Sequence, residues 1–415
     1  MPSPDTLLDT PLTWTDVEKG IQKTLNTAAK FGNNRKADNL GHMKGFFSRI
    51  ALISPDWINC AEEDRLPDQL VVKIPTTLAI ADLLNIDGFL DGKEIEENGN
   101  SQMKNEEIVR MMHNLEVQMY SIIARENNPS LPVTRMYASQ ALTEKNLGYL
   151  VFDYVQNAYS VPLLETIPFE DIVPVVDAAA VFSAMGERMS EEEREATAGK
   201  DFLEKSIKHY FPNHTFETMR KDLNEILGET NKETIDTSMK TFNLICGTSG
   251  VLENYSKVPE FLGHRPVLMH SDLWPGNMIF EKNEKDRLDF KALIDFQTVS
   301  LSSPGFDVAA IAITCLSPED RREHKDELIE RYYEKFVENL KGAAVPYTLK
   351  QLHDSYELMI PAGVIITMPF ALSLVKDKEE FIIEAARKKI VEMLKNVNEI
   401  QESNLKKFPE FFKVV

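Results

Sequence analysis

Pro266-Val-Leu-Met-His-Ser-Asp-Leu-Trp-Pro-Gly-Asn-Met-Ile-Phe280 and, a hairpin's length further on, Leu293-Ile-Asp-Phe-Gln297 decide how this chain is read. An apolar run enters a polar loop, a second apolar run leaves it, and a third ends on an aspartate. The loop sets His270, Asp272 and Asn277 in the spacing H-x-D-x-x-x-x-N, and Asp295 closes the third run. Phosphoryl transfer asks for such a set. One carboxylate accepts the proton of an attacking hydroxyl, while an amide and a second carboxylate hold the Mg²⁺ ions that neutralise a nucleotide's phosphates. The step from Asp272 to Asn277 lets one loop present the base at one end and a metal ligand at the other. The expected activity is transfer of a phosphoryl group from ATP to a small molecule.

Upstream, Leu70-Val-Val-Lys-Ile-Pro75 reads as a short buried strand, bounded by Pro67 and Pro75, with Lys73 inside it. Such a lysine either points to water from a sheet edge or enters a cleft and needs a carboxylate. A helix follows from about Glu106 to Arg125, with Ile108, Met112, Leu115, Met119 and Ile122 or Ile123 on its apolar face. Glu116 borders that face, as an exposed glutamate or as the partner of Lys73. Val133 to Ala138 and Tyr149 to Val155 form two strands around a turn holding Asn146 and Gly148. The second strand ends where a small lobe hands over to a large one, so the backbone near Asp153 and Val155 is placed to meet an adenine edge.

The chain opens with a helix from Trp14 to Ala28, with Thr15 and Glu18 as a capping box and Val17, Ile21 and Leu25 as its stripe. Phe31 to Gly45 is turn-rich, and its three glycines could bring backbone amides to phosphates. Their spacing is neither a Walker loop nor G-x-G-x-x-G, and an ordinary loop is the better reading. A strand from Phe46 to Ile53 comes next, and Asp87 to Asn105 is a polar, acidic loop. From Pro162 to Leu262 the pattern is helical, with a solvated helix start at Ser190 to Arg194. Beyond Gln297, Ser302 to Asp307 reads as a turn, Val308 to Leu316 as an apolar helix, and the remainder as helical.

Composition sets the outer bounds. At 415 residues the chain has room for two lobes. A net charge of −20 argues against nucleic-acid or anionic-membrane partners, which need a basic face. ATP needs only a few local cations and a metal. Cys60, Cys246 and Cys315 form no C-x-x-C pair and read as reduced, mostly buried thiols. The N-terminus has neither the basic nor the apolar region of a signal peptide. The most apolar segment, Met359 to Val375, is short for a membrane span and contains Pro361 and Pro369, so a buried helix is expected. The expected location is the cytoplasm.

The loop His-Ser-Asp-Leu-Trp-Pro-Gly-Asn277 and Ile-Asp-Phe-Gln297 resemble the motifs of the ecdysteroid-kinase-like (CHK kinase-like) family, relatives of choline kinases and aminoglycoside phosphotransferases. The likeness runs from Trp14 to the end of the chain and includes Gly-Phe-Phe-Ser-Arg49 and His113-Asn-Leu-Glu-Val-Gln-Met-Tyr120. It points to a nematode-expanded branch whose members have been labelled oxidoreductases. The resemblance implies an α+β, bilobal, protein-kinase-like fold. A small β-rich N-lobe would span residues 1–155, and a helical C-lobe residues 156–415, with the catalytic loop at 268–280 and a metal-binding strand end at 293–297.

The resemblance also implies roles. Asp272 would be the catalytic base, and Asn277 and Asp295 would bind Mg²⁺. Lys73 would contact the α- and β-phosphates of ATP and pair with Glu116, with Asp153 and Val155 beside the nucleotide. His270, counted with the catalytic residues, would stabilise the loop by hydrogen bonding rather than act as an acid. Asp307 resembles an aspartate that braces this loop, and Trp274, Pro275 and Gly276 shape its turn.

The departures are informative. No arginine stands between His270 and Asp272, Gln297 replaces the glycine of Asp-Phe-Gly, and Pro304-Gly-Phe-Asp307 follows Asp295 too closely for an activation loop. A small-molecule hydroxyl, of a steroid, glycoside or xenobiotic-like alcohol, is the expected acceptor. Oxidoreductase chemistry is not supported, for no G-x-G-x-x-G follows a strand and no Tyr-x-x-x-Lys pair occurs. The alternatives are a catalytically silent nucleotide-binding protein of the same fold and a choline- or ethanolamine-type kinase.

Overall fold

A computed structural model describes residues 5–40, 47–60, 66–77, 101–197, 213–247, 250–375 and 380–413, without the side chains at 101–104, 213–215, 380–382 and 385. The chain forms two compact units. The first comprises Met1–Asn128, Val133–Ala158 and Ile294–Gln297, the second Pro129–Pro132, Tyr159–Leu293 and Thr298–Val415. Ile294–Gln297 thus belongs with the first unit although it lies far beyond residue 155, where the sequence places the lobe boundary. The class is α+β: the first unit is built on a sheet, and the second is mainly helical.

The first unit begins with α1 (Trp14–Leu25). Its capping box is Thr13 with Asp16, not the expected Thr15 with Glu18. Both pairs have the same spacing, and the extended backbone at residue 13 decides between them. Glu18 instead accepts the Phe31 amide at 2.5 Å. Strands β1 (Lys30–Phe31) and β4 (Trp57–Ile58) pair antiparallel. Five antiparallel strands form the main sheet in the order β2 (Lys36–Asn39), β3 (Ser48–Ser54), β5 (Leu70–Pro75), β7 (Tyr149–Asp153), β6 (Met136–Gln140). Strand alternation sends Leu70, Val72 and Ile74 into one core with Val17 and Ile21 of α1, and with Phe31, Ala51 and Val151. Lys73 is thereby turned to the opposite face. The long helix α2 (Ser101–Glu126) supplies what it meets there.

Some expectations change. Strand β3 begins at Ser48, while Phe46, the expected start, lies outside the described residues. Of the three glycines expected near phosphates, Gly41 and Gly45 lie outside the described residues. Gly32 has a different reason to be glycine: a Cβ there would come within 2.3 Å of the Asp56 backbone oxygen and carboxylate. The acidic loop lies outside the described residues up to residue 100, and Ser101 onward is already helix.

In the second unit the helices are α3 (Phe169–Met185), α4 (Glu191–Thr197), α5 (Asn213–Leu227), α6 (Lys232–Cys246), α7 (Leu252–Tyr255) and α8 (Val258–Leu262). After the site strands come α9 (Gly305–Cys315), α10 (Pro318–Glu323), α11 (Lys325–Glu338), α12 (Leu349–Ser373) and α13 (Glu380–Lys407). Strand β8 (Val267–Met269) pairs with β11 (Ser300–Ser302), and β9 (Met278–Lys282) with β10 (Leu288–Leu293). Between β8 and β9 runs the polar loop 270–277. Helix α12 has the length and hydropathy of a membrane span, but Leu358, Met359, Ile360, Val364, Ile365 and Met368 along it are buried inside this unit. Of the three thiols read as mostly buried, Cys315 is buried, Cys246 half-buried and Cys60 exposed.

Candidate active site

The residues singled out from the sequence fall in both units, and each group has its own geometry. In the first unit the Lys73 ammonium lies 2.6 Å from Glu116 Oε2 and 2.8 Å from Asp295 Oδ1. Lys73 is 7% exposed and Glu116 1%. Of the two readings of this strand lysine, the structure takes the one that needs a carboxylate. A buried ammonium with no counter-charge would be far too costly, whereas two carboxylates outweigh its desolvation and hold the Lys73 pKa above its ordinary value. Burial also pushes the Glu116 carboxyl up, against the pull of Lys73 and a backbone hydrogen bond from Phe296. Asp295 sits in the left-handed region at φ 67°, and Gln297 Nε2 lies 3.4 Å from its second oxygen.

Helix α2 docks through a line of buried polar side chains. His113, Glu116 and Tyr120 recur at helical spacing and so share a face. His113 Nε2 lies 2.8 Å from the Gln140 carbonyl, and burial pushes the imidazole pKa down to about 4. The next residue, Asn114, grips Leu142 twice, donating to its carbonyl at 3.0 Å and accepting its amide at 2.8 Å. The Tyr120 ring lies 4.7 Å from that of Phe152 and edge-on to Phe296 at 5.2 Å. Sequence reasoning assigned no role to Tyr120. The signal for Tyr120 was its place four residues after Glu116 in the quoted helix motif.

Asp153 and Val155 stand at the end of β7. The Asp153 amide donates to the Arg135 carbonyl at 2.9 Å, and the Val155 carbonyl accepts from Ala158 at 3.3 Å.

In the second unit, Asn277 Nδ2 donates both to the Asp272 carbonyl at 2.9 Å and to its Oδ2 at 2.7 Å. The two ends of the motif are therefore clasped to each other. A short 3-10 turn, Pro275–Asn277, closes the loop, and the Trp274 indole lies over Gly276, where a Cβ would come within 2.3 Å of the ring. Asp307 lies in the first turn of α9, which begins two residues before it rather than after it as expected. Its buried carboxylate accepts the amides of His270 at 2.8 Å and Ser271 at 2.9 Å. Burial pushes that carboxyl up to about 7, opposed by the two amides. Ser271 is held at φ 67° immediately before Asp272, and its hydroxyl meets that of Ser300 at 2.8 Å. His270 is fully buried with its ring edge-on to Phe182.

Asp295 offers carboxylate oxygens. Asn277, whose Nδ2 is committed to Asp272, offers its amide oxygen. Each is a hard oxygen donor of the kind Mg²⁺ takes.

Residues 2–405 match the family described as "Uncharacterized oxidoreductase dhs-27". A Caenorhabditis elegans protein named "Uncharacterized kinase-like protein D1044.1" is 26% identical over 345 residues, 82% of this chain and 84% of that protein. Among solved structures, choline kinase from Cryptosporidium parvum Iowa II aligns with a TM-score of 0.47 at 12% identity, over 96% of this chain and 99% of its own. The GDP complex of wild-type aminoglycoside 2'-phosphotransferase-IIIa aligns with a TM-score of 0.43 at 12% identity, over 94% and 99%.

Proposed function

This chain belongs to the family described as "Uncharacterized oxidoreductase dhs-27", DUF1679, and we propose that it is an ATP-dependent phosphotransferase acting on a hydroxyl of a small molecule. The observation that carries this reading is the buried Lys73 ammonium clasped by Glu116 and Asp295. A structural ion pair needs one carboxylate. A lysine between two can keep one of them while it turns toward phosphate oxygens. The oxidoreductase wording of the family description is not adopted, because the chain has neither a dinucleotide fingerprint after a strand nor a Tyr-x-x-x-Lys pair.

In this reading Asp272, steadied by Asn277, orients the acceptor hydroxyl and takes its proton as the hydroxyl oxygen bonds to the γ-phosphorus and ADP leaves. Lys73 binds the α- and β-phosphates, and Glu116 fixes Lys73. Asn277 through its amide oxygen and Asp295 through its carboxylate would hold Mg²⁺, which would offset the negative charge of the nucleotide. Beside the adenine, the backbone of Asp153 and Val155 meets the base edge, and the Val155 carbonyl, which accepts from Ala158, keeps a second lone pair. His270 supports the loop from the core. The acceptor is a steroid, glycoside or xenobiotic-like alcohol, and the location cytoplasmic.

The test is a phosphorylation screen of a metabolite pool with the purified chain, using Asp272→Asn as the blank. Removing a positioned base costs on the order of 10²–10⁴ in turnover. The expected result is a loss of that size with ATP binding, read by a Mg²⁺-dependent thermal shift, retained. Near-normal turnover in the variant would remove Asp272 from its role. A chain stabilised by NAD(P)H and not by ATP would sink the phosphotransferase reading.

A further inference from the structure

A second buried lysine serves the backbone rather than a carboxylate. Lys389, on α13, is 7% exposed, and its Nζ donates to the carbonyls of Leu163 at 2.7 Å, Glu165 at 2.8 Å and Thr314 at 2.7 Å. An ammonium has three N–H donors, and these three neutral carbonyls take all of them. Thr314 lies in the last turn of α9, where carbonyls lack partners within the helix and the negative end of the helix dipole favours a cation. The Cys315 carbonyl, next in line, accepts the Ile167 amide at 2.7 Å. The stretch 163–167, which leads into α3, is therefore fastened to the end of α9 twice over. Both helices in turn hold the loop 270–277. Through Asp307, near its other end, α9 takes the amides of His270 and Ser271. The Thr314 hydroxyl, bonded to the Ala310 carbonyl at 2.7 Å, reaches the Leu273 carbonyl at 3.4 Å. From α3, Phe182 meets the His270 ring edge-on. Asp272 is thus bracketed on both sides by residues that these two helices hold. An apolar side chain in place of Lys389 would strand three converging carbonyls. The fold instead accepts a buried charge, whose pKa burial pushes down to about 8.

We propose that Lys389 is a positioning residue for the loop 270–277: its ammonium locks the C-terminal end of α9 to the turn that leads into α3, and these two helices fix the backbone on either side of Asp272. That the loop is catalytic rests on the phosphotransferase reading above; the lock itself does not. Without the ammonium, three buried carbonyls lose their donor, and α9 and α3 are free to shift against each other.

The experiment uses the full chain with Lys389→Met, which keeps a long stem and deletes every donor. Lys389→Gln restores two N–H groups and decides alone if Lys389→Met does not fold. Two quantities are read. One is hydrogen–deuterium exchange of the peptide containing residues 270–277, compared with peptides from β5 and from α6, whose Ser238 bonds α13 at Asn398. The other is acrylamide quenching of Trp274 with Trp14 and Trp57 both replaced by phenylalanine, which leaves it the sole tryptophan. Lys389→Met is expected to give about ten-fold faster exchange in the loop and stronger quenching of Trp274, with β5 and α6 unchanged. Lys389→Gln is expected to fall between it and the wild type. Unchanged exchange and quenching in both variants overturn the proposal. So does an equal rise across β5 and α6, which marks general loosening. With an acceptor from the metabolite screen, kcat is expected to fall about ten-fold or more in Lys389→Met while the Mg²⁺-dependent thermal shift by ATP is kept. A wild-type kcat beside a loosened loop overturns the link to Asp272. If the screen yields no acceptor, the phosphotransferase reading fails, and exchange and quenching at the loop still decide the role of Lys389.

Discussion

At the scale of single residues, Asp307 shows how a group with no place in the chemistry can set it up. Its carboxylate collects the amides of His270 and Ser271, the two residues before Asp272. With both amides pointed at one carboxylate, Ser271 takes its left-handed backbone. Burial raises this carboxyl from the ordinary 3.8 to about 7, so the native chain holds the proton more tightly than the unfolded chain. The sign follows: this group's contribution to stability is full below the unfolded value, falls as pH rises from 3.8 to about 7, and is level above. Asp307→Asn removes that fall. Urea unfolding at several pH values between about 4.5 and about 7.5 should give a shallower loss of stability with rising pH in the variant, by at most ~1.4 kcal/mol per pH unit. A steeper loss would contradict the assignment. The offset between the curves reports the amide bonds that an asparagine cannot both accept.

At the scale of elements, the informative piece is α2. Its apolar positions are legible as a helix, but the polar residues on the buried face set its register. His113 reaches Gln140, Asn114 clasps Leu142, Glu116 meets Lys73, and the Tyr120 ring packs edge-on to Phe296. Such a helix cannot rotate or slide without stranding several buried groups at once. Gly148 belongs to this arrangement: a Cβ there would lie 2.7 Å from the His113 ring and 2.8 Å from Leu142 Cβ. The ring cannot retreat while it holds the Gln140 carbonyl. Gly148→Ala is therefore expected to cost about 1–3 kcal/mol in thermal or denaturant unfolding, and a neutral result would show that the His113 contact is dispensable. The cap of α1 carries a second lesson at this scale. Thr13 with Asp16 and Thr15 with Glu18 are the same pattern shifted by two residues, and only the path of the incoming chain selects the first.

At the scale of the molecule, the first unit is not one continuous stretch. It needs Ile294–Gln297, whose Asp295 pairs with Lys73 and whose Phe296 packs on Tyr120. A fragment ending at Ala158 keeps the sheet and the α1 core. It leaves Lys73 with one carboxylate and the Tyr120 ring without Phe296. Expressed alone, residues 1–158 should retain far-ultraviolet circular dichroism but lose exchange protection around Tyr120, relative to the same residues in the whole chain. Full protection there would show that the inserted segment adds no stability.

The sequence by itself singled out the candidate set: Asp272 and Asn277 by their spacing in one loop, Lys73 by its place in an apolar strand, Glu116 by its place beside a helix stripe. Periodicity and spacing are local, and these residues carry them. It also determined the class of fold, because strand-length and helix-length patterns segregate along the chain. Only the tertiary structure decided that Lys73 meets two carboxylates rather than one, that Asp307 opens a helix instead of closing a turn, and that Gly32 makes room for Asp56. The reason is physical. A partner hundreds of residues away is chosen by strand register and by where the chain returns, and neither leaves a mark in the residues near it in sequence. The left-handed backbones at Ser271 and Asp295 are of the same kind, for nothing in a serine or an aspartate asks for that conformation until the surrounding hydrogen bonds impose it.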